Sequence, residues 1–458
     1  MHHLIFYLLI SSCSYGQGSK NTRLLDHWNQ DTLVTSSFGV RYNECFGFVQ
    51  SGKEYAIAGS TEGSHFFHLS ADDKFVPTGF IEGKFNNAQV IHRDFARYQD
   101  YIYAVCDEGN SSLQIIDISN LPTSVSVVSE NDSTFARVHN IFIDTANALL
   151  YASTITESVG GILQSQRSMQ LFSLTDPLNP SLVYTGPSDI PEVHDSYVRN
   201  NIAYLNCGFD GLRVYDFSDP MNPVYLQNMN FYIDQGYNHQ GALSPDGSLY
   251  VFADETQGKK IKLCTISDNQ ATIISDFSTN SENNSVPHNI SITGDFAYVA
   301  YYNEGLRIYD LRTSPPIEIA YYDTYPIDES LFMMRGAWGV YTDYPSGRIL
   351  VSDRVYGLFL IDVPQEILSI NSSSPISIFP NPSAAGSQLQ LALSNKSIDA
   401  FTVYIYDNLG KLVLNESRTG QTYAQIDHQL AVGAYQLKIQ YTDYLGEQRY
   451  LFEKFIVE

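Results

Sequence analysis

Five of the eleven histidines in this 458-residue chain are spaced as a set. His92, His139, His194, His239 and His288 follow one another at intervals of 45 to 55 residues, each opening a short apolar run. Trp338 stands where a sixth would fall, and the matching place upstream lies near Asn43 to Phe46. Neutral imidazole is the commonest metal ligand and titrates near neutral pH, so such a set suits metal binding or proton transfer. Carboxylates recur beside it. Glu62, Glu108, Asp210 and Glu304 each precede a glycine, and Asp254 and Glu255 fill an equivalent place. Asp94 and Asp195 follow two residues and one residue after their histidines.

Two chemistries fit these residue types. In the first, each imidazole bonds the backbone of a neighbouring repeat and only braces it, while the acidic–glycine pairs are hairpin turns. In the second, the imidazoles and Trp338 line a site for a divalent metal or a small polar ligand. Asp94, Asp195, Glu108, Asp254, Glu255 and Glu304 then surround that site. A ring of equivalent ligands differs from a catalytic zinc centre, which needs three clustered ligands and an open position.

Either chemistry requires an element that repeats. The stretch from His288 to Pro316 alternates apolar and polar residues over short spans, broken at Gly294-Asp295 and Glu304-Gly305, which reads as three antiparallel strands. Its third strand, Leu306 to Asp310 (L-R-I-Y-D), has counterparts closing at His68, Asp117, Ser173, Asp216, Thr265 and Asp362, spaced by 43 to 56 residues. Periods of this length with a period-two pattern mark the blades of a β-propeller, whereas helical repeats would show apolar residues at i, i+3 and i+4. The seven anchors predict an all-β, seven-bladed β-propeller. Because the innermost strand of every blade borders the axial channel, the histidines converge there. Antiparallel pairing puts the acidic turns on the same face.

The last repeat stops after its third strand at Asp362, and Asn21 to Trp28 is a strand-like stretch with no blade of its own. Arg23 to Trp28 is therefore predicted to close the ring, which would otherwise expose sheet edges. Ser/Thr-Asp-Pro corners follow Ser173 and Asp216, and an insertion near Ile155 to Arg167 is expected to lengthen a surface loop. The predicted organisation is a signal peptide over 1–16, the propeller over 17–364, a linker over 365–375 and a small C-terminal β-sandwich over 376–458.

With 26 basic and 50 acidic residues the net charge is −24, which argues against nucleic-acid binding. Leu4 to Ile10 form an apolar core too short to span a bilayer, followed by a cleavage position between Gly16 and Gln17. A lipobox ending at Cys13 is the rival reading. No transmembrane segment is expected in the mature chain. Cys45, Cys106, Cys207 and Cys264 fall in different blades inside apolar runs and read as buried thiols.

Two resemblances emerge. The tail, with I-S-I-F-P-N-P at Ile376 to Pro382, Y-D-N-L-G-K at Tyr406 to Lys411 and G-A-Y-Q-L-K-I at Gly433 to Ile439, resembles the C-terminal sorting domain of type IX secretion cargo. That resemblance implies export, with the type IX machinery as a partner, and then release or surface attachment. The body resembles the choice-of-anchor B family of LVIVD-repeat propellers. The segments that carry it are G-L-R-V-Y-D-F-S-D-P at Gly211 to Pro220, H-N-I at His139 and His288, and G-A-W-G-V-Y at Gly336 to Tyr341. This second likeness implies a fold and an extracellular address, and no defined activity.

No G-x-S-x-G, H-E-x-x-H, P-loop or dinucleotide-binding motif occurs. The sequence therefore points to a secreted or surface-displayed propeller that binds an extracellular ligand or protein without catalysis. The alternative is a metal-dependent hydrolase or lactonase-like enzyme using the axial histidines and carboxylates. A divalent metal is the one cofactor these residues suggest.

Overall fold

The computed structural model describes residues 18–131, 134–279, 285–327, 334–368, 376–379, 382–393, 400–419, 423–442 and 448–458. The cleavage position at Gly16 and Gln17, and the lipobox, lie outside the described residues. Two compact units divide the chain, 1–368 and 369–458.

The first unit is a ring of seven antiparallel sheets. Blade 1 spans 42–82, blade 2 spans 93–131, blade 3 spans 137–185, blade 4 spans 195–229, blade 5 spans 238–277 and blade 6 spans 290–322. Blade 7 takes Ala337–Tyr341, Ile349–Asp353 and Gly357–Asp362 from the end of the unit and its outer strand, Arg23–Trp28, from the beginning. The predicted closing strand is thus in place, with Trp28 opposite Leu358 and Arg23 opposite Asp362. A shorter strand, Ser19–Lys20, adds a fifth to blade 6.

Each blade is packed between two others, so its middle strands are buried on both faces. This explains the continuous apolar runs at Phe296–Ala300 and Ile202–Asn206, every residue of which is buried, while outer strands such as Val224–Met229 keep one wet face. Packing joins neighbours around the ring. Val251 and Leu263 of blade 5 meet Ile290 and Val299 of blade 6, and Phe67 of blade 1 meets Leu358 and Leu360 of blade 7. Each fully buried side chain of this size contributes about 2–3 kcal/mol. The four cysteines are buried free thiols, as their apolar settings implied.

The insertion in blade 3 departs from expectation. Rather than forming a loop, it lengthens a hairpin of Leu149–Val159 and Ile162–Ser173, pairing Ile155 with Arg167 and Ser158 with Leu163. Gly160 and Gly161 turn it at φ of 60° and 80°, a conformation that glycine adopts without strain. The expected linker begins with a short helix, Gln365–Leu368. The second unit contains a three-stranded and a four-stranded sheet around Leu391, Val403, Ile405, Leu437, Ile439 and Phe455, in accord with a small sandwich.

Candidate functional site

Six side chains from six blades form a closed ring around the axis. His92 and His194 directly precede innermost strands and His288 stands two residues before its own, while His139, His239 and Trp338 lie within theirs. Ring centroids are 4.2 Å apart for His92–His139, 4.3 Å for His139–His194, 4.2 Å for His194–His239 and 4.2 Å for His239–His288. Trp338 lies 3.9 Å from His288 and 5.9 Å from His92. Its larger indole spans the place where blade 1 supplies no ring side chain.

For His194 and His288 the hydrogen bonds fix which edge of the imidazole faces outward. His194 Nδ1 lies 3.0 Å from the carbonyl of His239, and His288 Nδ1 lies 2.7 Å from that of Trp338, in each case on the next blade. A carbonyl only accepts, so Nδ1 carries the hydrogen. Burial holds the rings of His92, His194 and His288 well below the ordinary histidine range, and that of His239 at about 3. These imidazoles are neutral at physiological pH, and Nε2 of His194 and His288 is left as a lone pair. His288 Nε2 is buried with no partner among the described residues. His139 differs. Burial lowers its affinity for a proton, but the bond from Nδ1 to Asp107 (2.9 Å) and the carboxylates of Asp94 and Glu192 outweigh that and raise it.

Around this ring stand the carboxylates. Glu255 Oε2 is 3.7 Å from His239 Nε2, and Glu255 Oε1 accepts from Tyr302 Oη at 2.5 Å. Glu108 accepts from the backbone of His92 at 3.3 Å, and burial pushes its carboxyl up to about 7. Glu192 accepts from Tyr237 Oη at 2.7 Å, and Tyr237 packs edge-on against His194. One guanidinium opposes them. Arg354, 2% exposed, stacks 4.2 Å above Trp338 and donates to the carbonyls of Met334 (2.8 Å) and Ile91 (3.3 Å).

Further along the inner strands lies a second set of acids. Glu44 reaches past blade 7 to accept from Asn289 Nδ2 of blade 6 at 2.7 Å. Burial raises its carboxyl well above the usual range, and Asp94 and Asp195 add to the effect. Asp195 is raised in the same way, first by burial and then by Asp94. Asp94 serves as a brace, its oxygens taking Phe95 N and, on the next blade, Ile141 N, both at 2.7 Å. Gln240 does the same toward Ile290 N at 2.7 Å.

Of the residues singled out in the sequence, the five histidines, Trp338, Glu108 and Glu255 come together at the ring, with Asp94 and Asp195 close by. Asp254 and Glu304 do not. Asp254 turns between blades, where its carboxylate lies 3.2 Å from Lys262 Nζ and accepts from Tyr232 Oη at 2.6 Å. Glu304 pairs with Arg307 at 2.5 Å. Each has a cation on its own blade, and that attraction decides its direction. Sequence reasoning passed over Glu44, Asp107, Glu192, Tyr302 and Arg354. Asp107 adjoins Glu108, a recognised acidic position, so the turn after that second strand carried a signal for it, whereas Arg354 adjoins none that was singled out. Glu44 lay within the stretch assigned to blade 1.

Comparison with known proteins adds the following. Residues 377–458 match the family described as the secretion system C-terminal sorting domain. This tail directs export to the cell surface or the medium through interaction with that secretion machinery. No curated protein matches the chain. Among solved structures, the β-propeller domain of Cps50 (Swd1) from Myceliophteria thermophila aligns with a TM-score of 0.51 at 12% identity, over 75% of this chain and 100% of that one. At such identity it shows the propeller fold alone. A candidate 6-phosphogluconolactonase from Bacteroides uniformis aligns at 0.48 with 13% identity, over 84% of this chain and 99% of the other. The extracellular domain of BT4673 from B. thetaiotaomicron aligns at 0.46 with 12% identity, over 94% and 59%. Both are too distant to bear on function. Among the described residues, no helix is long and apolar enough to cross a membrane.

Proposed function

We propose that the protein is an exported, non-catalytic binding propeller of the LVIVD-repeat, choice-of-anchor B kind, which takes a small polar ligand at the imidazole-lined end of its axial channel. The observation that carries this reading is the division of labour in the ring. Nδ1 of His194 and of His288 is spent on the backbone of the next blade, which leaves Nε2 of each as a preformed acceptor, with His288 clustered beside Glu255. Bracing and ligand binding are then not rivals, since different atoms perform them. Among the described residues, no serine, threonine or cysteine is hydrogen-bonded to a ring imidazole, so the ring lacks the nucleophile–base contact of acyl-transfer enzymes.

A second reading, a metal-dependent hydrolase, is favoured by one observation: His239, Glu255 and His288 bring ligand atoms within 4.8 Å of one another. Trp338 supplies the experiment that separates the two. It is one of only two tryptophans, so Trp28→Phe leaves its fluorescence as a reporter of the ring. Binding predicts a saturable fluorescence change with some member of a panel of divalent cations, sugars and dicarboxylates, lost in His194→Ala/His239→Ala, with no turnover. Turnover of a chromogenic ester or lactone, abolished by the same pair of substitutions, would replace binding with catalysis.

A further inference from the structure

We infer that His239 Nε2, His288 Nε2 and the carboxylate of Glu255 form a three-ligand site for a borderline divalent cation, zinc above all, with a coordination position left for water or an incoming ligand. This deepens the binding reading and rests on it. One ligand atom from each of the three residues lies within 4.8 Å of those of the other two. An ion bonded at ~2.0–2.2 Å to nitrogen and oxygen ligands holds them roughly 3–4 Å apart, so small side-chain rotations suffice.

Two of the three ligands are already oriented. His288 is fixed by its Nδ1 bond to the Trp338 carbonyl, and its Nε2 is buried and unpartnered at 2% residue exposure. A buried acceptor left unsatisfied is destabilising, and coordination would relieve it. Tyr302 Oη holds Glu255 at 2.5 Å through the oxygen that does not face His239. Hydrogen bonds of this kind behind the ligands are what metal centres use to set tautomer and aim. The donor set selects the ion. Two imidazoles and one carboxylate suit zinc, cobalt or nickel, whereas calcium and magnesium demand six or more oxygens.

The other ring members are unsuited. His139 is tied to Asp107, and among the described residues the cluster found at Glu255 takes in His239 and His288. Arg354 is the opposing charge, and it sits in the field of Glu255, Glu108 and Asp353.

The test uses the untagged, full-length mature protein, stripped with a chelator and titrated with zinc alone against a chromophoric competitor. One zinc per chain is expected, with cobalt giving visible d–d absorption. Glu255→Gln and His288→Ala should each weaken zinc binding by more than the ~10- to 100-fold typical of residues behind a ligand, and Tyr302→Phe by about 10-fold. His68→Gln, on the third strand of blade 1 and outside the ring, should leave it unchanged. If His288→Ala fails to fold, His288→Asn keeps a donor near the Nδ1 position and removes Nε2, so it should be folded and zinc-deficient. Substoichiometric zinc, or equal zinc in His288→Asn, would overturn the site. No zinc together with a saturable Trp338 response to an organic ligand would remove the metal alone and leave the binding reading standing. A ring that responds to neither would remove both.

Discussion

His288 donates from Nδ1 to the carbonyl of Trp338 across 2.7 Å, and this bond between blades 6 and 7 fixes the face that the imidazole turns to the axis. His194 and His239 repeat the relationship between blades 4 and 5. Each such bond satisfies a buried carbonyl at the seam where two blades meet.

Removing this brace should therefore separate from removing the ligand atom. His288→Ala is expected to lower unfolding free energy by about 2–3 kcal/mol, the sum of a lost buried hydrogen bond and a cavity. His288→Asn should recover at least half of that loss, measured by denaturant unfolding. Equal destabilisation by both would show that the bond to Trp338 contributes nothing.

Gly339 leaves the space through which Glu44 reaches Asn289. A Cβ at 339 would overlap Glu44 Oε1 and lie 2.7 Å from its Cδ. Gly339→Ala should cost about 1–3 kcal/mol through this overlap. In the Glu44→Ala background the same change should cost at least ~1 kcal/mol less, since the two side chains share the space. Additive effects in that double-mutant cycle would refute the contact.

The acids and the imidazoles give opposite dependences on pH. Burial raises Glu44 well above 4.5, so the folded state holds its proton more tightly than the unfolded chain does. Its stabilising contribution is full below the unfolded value and lost as pH rises through the folded one. Glu44→Gln should accordingly gain melting temperature relative to the parent as pH rises above 4.5. His239 is lowered from 6.5 to about 3, so its contribution is full above 6.5 and lost as pH falls toward 3. His239→Asn should flatten the acid limb of the stability profile, read from melting temperatures across that range. An unchanged profile in either variant would remove that group from the linkage.

Trp28 anchors the strand that closes the ring, lying 4.8 Å from Phe67 and 4.9 Å from His65 of blade 1. Trp28→Ala should destabilise the propeller by about 2 kcal/mol or more. Deleting residues 18–28 should leave the edge of Gly357–Asp362 unpaired and promote self-association, visible by light scattering. A monomeric, undiminished deletion variant would mean that closure does not depend on this strand.

Much of this was legible before any coordinates. The apolar runs of period two, the turn glycines and the recurring interval of 43 to 56 residues set the number of blades, and the surplus strand at 23–28 matched the missing one in blade 7. Such features are local, and each blade depends mainly on its own residues and its neighbours. The histidine positions were legible for the same reason, because equivalent places in a repeat become equivalent places around an axis. The side-chain directions were not. Glu304 and Glu255 follow similar turns, yet the first is drawn to Arg307 and the second to His239 and Tyr302.

What the sequence determined by itself, then, was the ring of sheets and the set of imidazoles it gathers, because backbone pairing and periodic burial are written residue by residue. Only the tertiary structure decided that Nδ1 of His194 and of His288 serves the next blade, that Glu44 crosses above Gly339, and that Arg354 covers Trp338. These choices rest on contacts between residues as many as 263 positions apart, as for Arg354 and Ile91, and distance along the chain carries no record of them.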